Sequence, residues 1–235
     1  MDDKLTRILR SRKQRSMDIL REFGDAWIII ATGRMDSNVE YLLGTYTYGM
    51  VAAILDKDNL TVLINKLEES FVKDNPCVDR VEVFYGLREF RDKFSSIIKT
   101  FSGQKIIANY SSPEICPQAS YLPHYMYNEL NYLANKYEII LRPAGRYVYR
   151  LRKNKTKEEL EALEESVKIT LDIIDDLCNS SKIRAGLTER EIASELYRYS
   201  HIYGGPAFDI IVASGPNTSN PCLLYTSDAA DDGES

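Results

Sequence analysis

Three aspartates, Asp172, Asp175 and Asp176, stand at i, i+3 and i+4, a spacing that sets carboxylates side by side on one face of a helix. Hard divalent cations take oxygen ligands of this kind. No glycine-bent loop and no further oxygen donor lies near them in the chain, so the trio reads as a solvated helix face. The two histidines, His124 in an aromatic-rich stretch and His201 near the end of a helical pattern, have no carboxylate or cysteine at ligand spacing. Both read as structural or surface residues. Four cysteines, Cys77, Cys116, Cys178 and Cys222, lie far apart without a CxxC pair, the pattern of isolated reduced thiols. A nucleophile elbow, a phosphate-cradling glycine loop and an HExxH pair are all absent, so no local signature names an active site.

Composition narrows the partners. The 235 residues are 44% hydrophobic, enough for a packed core, and 30 basic against 35 acidic residues leave a net charge of −5. A nucleic-acid binder would show a basic stripe, and this chain shows none. The one basic cluster, Arg7, Arg10, Arg12, Lys13 and Arg15, falls in an amphipathic pattern and reads as a solvated face. No apolar run approaches the roughly 18 residues of a membrane span, and Met1-Asp-Asp-Lys-Leu5 is too polar for a secretory signal. A cytoplasmic protein with no membrane partner is expected.

The elements that would position any chemistry are readable from periodicity. Leu5 to Phe23 has helical spacing and meets Gly24; Ala26 to Ala31 is a short continuous apolar run, a strand buried on both faces. Met50 to Leu55 and Leu60 to Ile64, joined by Asp56-Lys-Asp-Asn59, predict a hairpin. Beyond it helix and strand alternate: helix near Leu67 to Lys73, strand Arg80 to Phe84, helix Leu87 to Phe101, strand Lys105 to Asn109, helix near Ala119 to Asn135, strand Glu138 to Arg142. This order predicts an α/β domain with a covered mixed sheet, ending at 149.

From 150 the pattern changes. Leu160, Leu163, Val167, Leu171, Ile174 and Leu177 recur every three or four residues, predicting a long helix with one buried face. Thr156 with Glu159, and Thr188 with Glu191, predict capping boxes at two helix starts. The second helix runs to about Tyr203, Gly204-Gly-Pro206 stops it, and Phe208 to Ala213 predicts a strand leading into a polar loop.

In this order the segments resemble the creatinase, prolidase and Xaa-Pro aminopeptidase family of metallopeptidases. Asn38-Val-Glu-Tyr-Leu-Leu-Gly44 looks like its early Tyr-Leu-x-Gly motif, and Arg150 to Leu163 is similar to the Arg-x-x-Lys-x-x-x-Glu-Leu entry to the catalytic domain. Most specific is Gly186 to Ala193 followed by Pro206 to Pro221. The resemblance implies an α/β N-terminal creatinase-like domain at 1–149, a mixed sheet flanked by helices. The start of an α+β pita-bread catalytic domain follows at 150–221. It also implies hydrolysis of the bond before proline in short peptides, a homodimer when full length, and two divalent metal ions, often manganese. A metal pair makes a water nucleophilic near neutral pH and clamps the developing oxyanion. A non-catalytic pita-bread binding protein and a creatinase-type amidinohydrolase are the alternatives.

In such relatives the polar loop is followed by a substrate-binding histidine, and all metal ligands come later. Here Cys222 stands in that place. The run Cys222-Leu-Leu-Tyr-Thr-Ser-Asp-Ala-Ala-Asp231 resembles the conceptual translation of a transposase-type sequencing adapter, so 222–235 is expected to be foreign sequence. Asp228, Asp231 and Asp232 are therefore not taken as ligands. No catalytic, cofactor-binding or metal-binding residue is assigned within the chain, which is expected to be an inactive fragment.

Overall fold

A computed structural model describes residues 3–111, 114–180, 183–184, 186–203 and 209–219. The chain divides into two compact units, Met1–Glu159 and Leu160–Ser235.

The first unit is built on a six-stranded mixed sheet of order β4-β3-β2-β1-β5-β6. Its strands are β1 (Ala26–Thr32), β2 (Met50–Asp56), β3 (Leu60–Asn65), β4 (Arg80–Phe84), β5 (Lys105–Ala108) and β6 (Ile140–Pro143). The pairs β1–β2 and β2–β3 are antiparallel; β3–β4, β1–β5 and β5–β6 are parallel. The hairpin turn is made by Asp56, whose Oδ1 accepts from the backbone N–H groups of Asp58 and Asn59, both at 2.7 Å. That is the local reason the Asp-Lys-Asp-Asn sequence reverses the chain.

The apolar run of β1 has no polar alternation because both faces of the sheet are covered. Trp27, Ile29 and Ala31 point into one core layer with α1 (Asp3–Leu20), α2 (Ser37–Leu43) and α5 (Gly145–Lys153). Ala26, Ile28 and Ile30 point into the other, with Phe90, Phe94 and Ile98 of α3 (Leu87–Lys99) and Met126, Leu130 and Leu133 of α4 (His124–Lys136).

Two short elements differ from expectation. Lys66–Phe71 forms a 3-10 turn, with the Asn65 side chain accepting from Leu67 N–H, rather than an α-helix. The helix expected from near Ala119 starts only at His124: Pro123 precedes it, and Pro117–Ala119 winds as a separate 3-10 turn. The compact units meet at Glu159/Leu160, so the segment 150–159 falls within the first. The reason is α5, which the sequence offers as a lead-in. Its Tyr147, Val148 and Leu151 are buried in the first core layer, and the Tyr147 hydroxyl donates to the Ser16 carbonyl at 3.0 Å.

The second unit carries α6 (Lys157–Asn179, whose first turn belongs to the first unit) and α7 (Glu189–Tyr203). Both expected capping boxes are present: Thr156 N–H donates to Glu159 Oε2 at 2.8 Å, and Thr188 N–H to Glu191 Oε2 at 2.8 Å. The face of α6 expected to be buried is not. Leu160, Leu163, Val167, Leu171 and Ile174 are each about half exposed, between 46% and 59%, and of the hydrophobic residues of α6 only Ile173 and Leu177 are buried. Periodicity names the side that can be buried; burial also needs an opposing surface. The strand expected at Phe208 to Ala213 does not form over the described residues 209–213. A strand satisfies its backbone through a neighbouring strand, whereas here Ile210 N–H donates to the Tyr197 hydroxyl at 3.1 Å. Phe208, Cys222 and the segment 222–235 lie outside the described residues.

Candidate functional site

The first two motifs meet in three dimensions. Asp36 caps α2, its Oδ1 accepting from Asn38 N–H at 2.9 Å and from Asn38 Nδ2 at 2.8 Å. Asn38 Nδ2 also donates to the Gln118 carbonyl at 2.6 Å, and Asn109 Nδ2 donates to the other carboxylate oxygen, Asp36 Oδ2, at 2.7 Å. Asn109 in turn accepts from the indole N–H of Trp27 at 2.7 Å. The network therefore ties the start of α2 to β1 and to the end of β5. Gly44 closes α2 in the left-handed region at φ 67°, where its N–H donates to the Glu40 carbonyl at 2.8 Å. A side chain there would also meet Leu9, so this motif glycine answers both a backbone and a packing demand.

Tyr41, the motif's tyrosine, is the joint to the second motif. The guanidinium carbons of Arg12 and Arg152 lie 4.6 Å and 4.8 Å from its ring centroid, within cation–π range. Arg12 also donates to Glu159 Oε1 at 2.8 Å, while Glu159 Oε2 holds the Thr156 cap. One carboxylate thus fixes the first turn of α6 to α1. Arg152 reaches Asn38 Oδ1 at 3.4 Å. Burial raises the Asp36 carboxyl above its ordinary value, against hydrogen bonds from Asn109 and Asn38 and the charge of Arg152. Burial likewise pushes the Tyr41 phenol up to about 12, with the Glu159 charge adding to it. Paired and enclosed, these groups hold the domain together; the cluster presents no nucleophile beside a base.

The third motif also closes on itself. Glu189 at the head of α7 accepts from the Ser214 hydroxyl at 3.0 Å and from Asn217 Nδ2 at 2.9 Å, and the Ser214 backbone N–H donates to it as well. These hydrogen bonds, that of the Ser214 N–H first, hold the Glu189 carboxyl below its usual range. The polar loop 214–219 is thereby pinned to the helix start. The sequence offered only the co-occurrence of the two halves of the motif, not this bond.

The residues singled out earlier for chemistry are not brought together. Asp176 accepts from the Tyr203 hydroxyl at 3.1 Å, and His124 Nε2 sits 3.1 Å from Asn128 Nδ2 on the exposed side of α4. His201 lies exposed on α7. Cys77 and Cys116 are buried free thiols, both pushed up by burial, and Cys178 is exposed. Among the described residues no group of three or more His, Cys, Asp or Glu side chains can hold a metal ion. The described residues therefore do not fit a two-metal centre. No helix among the described residues is long and apolar enough to cross a membrane. The basic cluster corrects one expectation, because Arg12 turns inward to Tyr41 and Glu159 and Lys13 pairs with Asp79 at 2.5 Å. Only Arg7 and Arg10 keep the solvated character expected of all five.

A mixed sheet of this topology, covered by helices on both faces and followed by a helical unit, defines an α/β domain of the kind that opens prolidase-type proteins. The X-Pro aminopeptidase of Thermotoga maritima superposes with a TM-score of 0.71 at 19% identity, over 90% of this chain and 55% of that one. Residues 161–234 match metallopeptidase family M24, a stretch that runs on through the segment after Pro221. The Xaa-Pro dipeptidase of Pyrococcus furiosus is 27% identical over 188 residues, 78% of this chain and 47% of that protein. An uncharacterised peptidase of Methanocaldococcus jannaschii is 25% identical over 195 residues, 81% of this chain and 47% of that protein. The chain spans about half the length of the curated relatives it matches.

Proposed function

We propose that the protein to which this chain corresponds is a metal-dependent Xaa-Pro peptidase, hydrolysing the bond before proline in short peptides. The observation that carries this reading is the family-specific motif from Gly186 to Pro221, whose two halves are joined by Glu189 to Ser214 and Asn217. The match to an Xaa-Pro dipeptidase across most of the chain supports it. The network linking Asn38, Tyr41, Arg152 and Glu159 has a scaffolding role in this reading: it fixes α5 and the first turn of α6 within the first unit.

In this reading the chain as given, whose described residues hold no metal-binding group, is inactive. The segment Cys222–Ser235 is read as foreign, supported by its likeness to a translated sequencing adapter. A cytoplasmic location and a homodimer of the full-length protein belong to the same proposal.

The test is a full-length protein assayed on Xaa-Pro dipeptides, on longer Xaa-Pro peptides and on creatine, with and without manganese. Metal-dependent release of the residue before proline is expected, and none from the 235-residue chain. Absence of Xaa-Pro cleavage by the metal-loaded full-length protein refutes the activity. A longer nucleotide read across the codon for Pro221 should show histidine next; Cys222 in an independent read refutes the foreign tail.

A further inference from the structure

The groove between α1 and the α5–α6 junction offers about 770 Å³ and is lined within the first unit. Its cations come from three separate segments: Arg7, Arg10 and Arg15 of α1, Arg150 of α5, and Lys157 at the head of α6. Two acids, Asp18 and Glu158, share the lining, and each already has a donor. Gln14 Nε2 donates to Asp18 at 3.0 Å and Ser11 Oγ to Glu158 at 2.6 Å. Arg7 lies 3.7 Å from Asp3, and Arg150 pairs with Glu22.

Arg10 and Arg15 differ. Neither has an acceptor among the described residues, and Arg15 Nε is shut off from solvent without one. An arginine fork is shaped to give paired hydrogen bonds to an oxyanion. The groove is thus locally cationic in a chain whose net charge is −5. A single carboxylate is satisfied by one arginine. Cations approaching from three segments suit several oxyanions on one molecule, which is the chemistry of a polyphosphate group.

We propose that this groove binds a soluble phosphate-bearing anion of pyrophosphate size or larger, held by Arg10 and Arg15 with Arg7, Arg150 and Lys157 around it. The site is remote in kind from peptide hydrolysis and does not depend on the proposed activity. Binding weakens with salt, because the groove is open and its charges are screened.

The test is calorimetric titration of the 235-residue chain with inorganic pyrophosphate at low and at physiological ionic strength. Saturable one-to-one binding is expected, weakened at least tenfold in Arg10→Gln and in Arg15→Gln and unchanged in Lys99→Gln, which removes an exposed cation of α3 outside the groove. Tryptophan fluorescence checks that Arg15→Gln is folded; should it not be, Arg10→Gln, on an exposed side chain, decides alone. No saturable binding overturns the site. Equal weakening by Lys99→Gln overturns it too, by showing only diffuse charge. Binding to phosphatidylserine vesicles without binding to pyrophosphate overturns it in favour of a membrane surface.

Discussion

Removing the Asn109 side chain tests the central network of the first unit. Asn109 is fully buried, accepts from Trp27 Nε1 at 2.7 Å and donates to Asp36 Oδ2 at 2.7 Å. In Asn109→Ala the indole N–H loses its acceptor, at a cost of about 1–3 kcal/mol for a buried neutral group. The Asp36 carboxylate loses one of its donors, which for a charged acceptor adds about 1.5–3 kcal/mol. Because the two bonds belong to one network they are not strictly additive, and a total near 3–5 kcal/mol is expected. That is a large share of the roughly 5–15 kcal/mol that holds a typical domain folded. Trp27 is the only tryptophan in the chain and has 0% exposure, so its fluorescence during urea unfolding follows the first unit specifically. Asn109→Asp sharpens the test by placing a second carboxylate against Asp36. Two such groups cannot both ionise, so one keeps its proton and the folded-state pKa of the pair is raised above the usual value of about 4. A raised carboxyl contributes stability that is complete below its unfolded pKa and is lost as pH rises through the folded one. The deficit of Asn109→Asp relative to wild type should therefore shrink between about pH 8 and pH 5. The reasoning is refuted if Asn109→Ala stays within the about 0.5 kcal/mol of an ordinary surface change, or if the Asn109→Asp deficit is the same at both pH values.

Glu159→Ala removes the acceptor of both Arg12 and Thr156 N–H and should cost about 2–3 kcal/mol, less than a fully buried pair because Arg12 is partly exposed; the same fluorescence titration measures it. Gly44→Ala forces an L residue to φ 67° and brings its Cβ to 2.8 Å from Leu9 Cδ1, so a loss of about 2 kcal/mol or more is expected in thermal unfolding. Tyr41→Phe should be neutral or stabilising by up to about 1 kcal/mol, because the Tyr41 hydroxyl is buried without a partner; a clear destabilisation would show that the hydroxyl is bonded in solution. The same variant should be less sensitive to alkali. With its folded pKa raised to about 12, Tyr41 contributes stability present below about pH 10 and lost as pH rises toward that value.

Much of the architecture was legible because its signals are local. The apolar run of β1, the Asp56 turn between β2 and β3, and both capping boxes each rest on a few neighbouring residues, and each formed where expected. Helix α2 was not foreseen as a helix. Its seven residues are too few for a clear period, and it depends on Asp36 and Gly44 as caps. The resemblance marked Asn38, Tyr41, Gly44 and the run from Arg150 to Leu163 as a pattern, yet Gln118, which accepts from Asn38, and Arg12, which meets both Tyr41 and Glu159, lie far along the chain, and spacing carries no information about such contacts.

By itself, then, the sequence determined most of the elements of the first unit, the covered sheet and a resemblance to Xaa-Pro peptidases, since periodicity, caps and ordered motifs are written in neighbouring residues. Only the tertiary structure decided that α5 packs into the first unit and that Arg12 leaves the basic face for Tyr41 and Glu159. It alone shows the described stripe of α6 half exposed and residues 209–213 without a ladder. The physical reason is the same in each case: a pattern states what a surface can bury or pair with, and only the arrangement in space supplies the opposing surface.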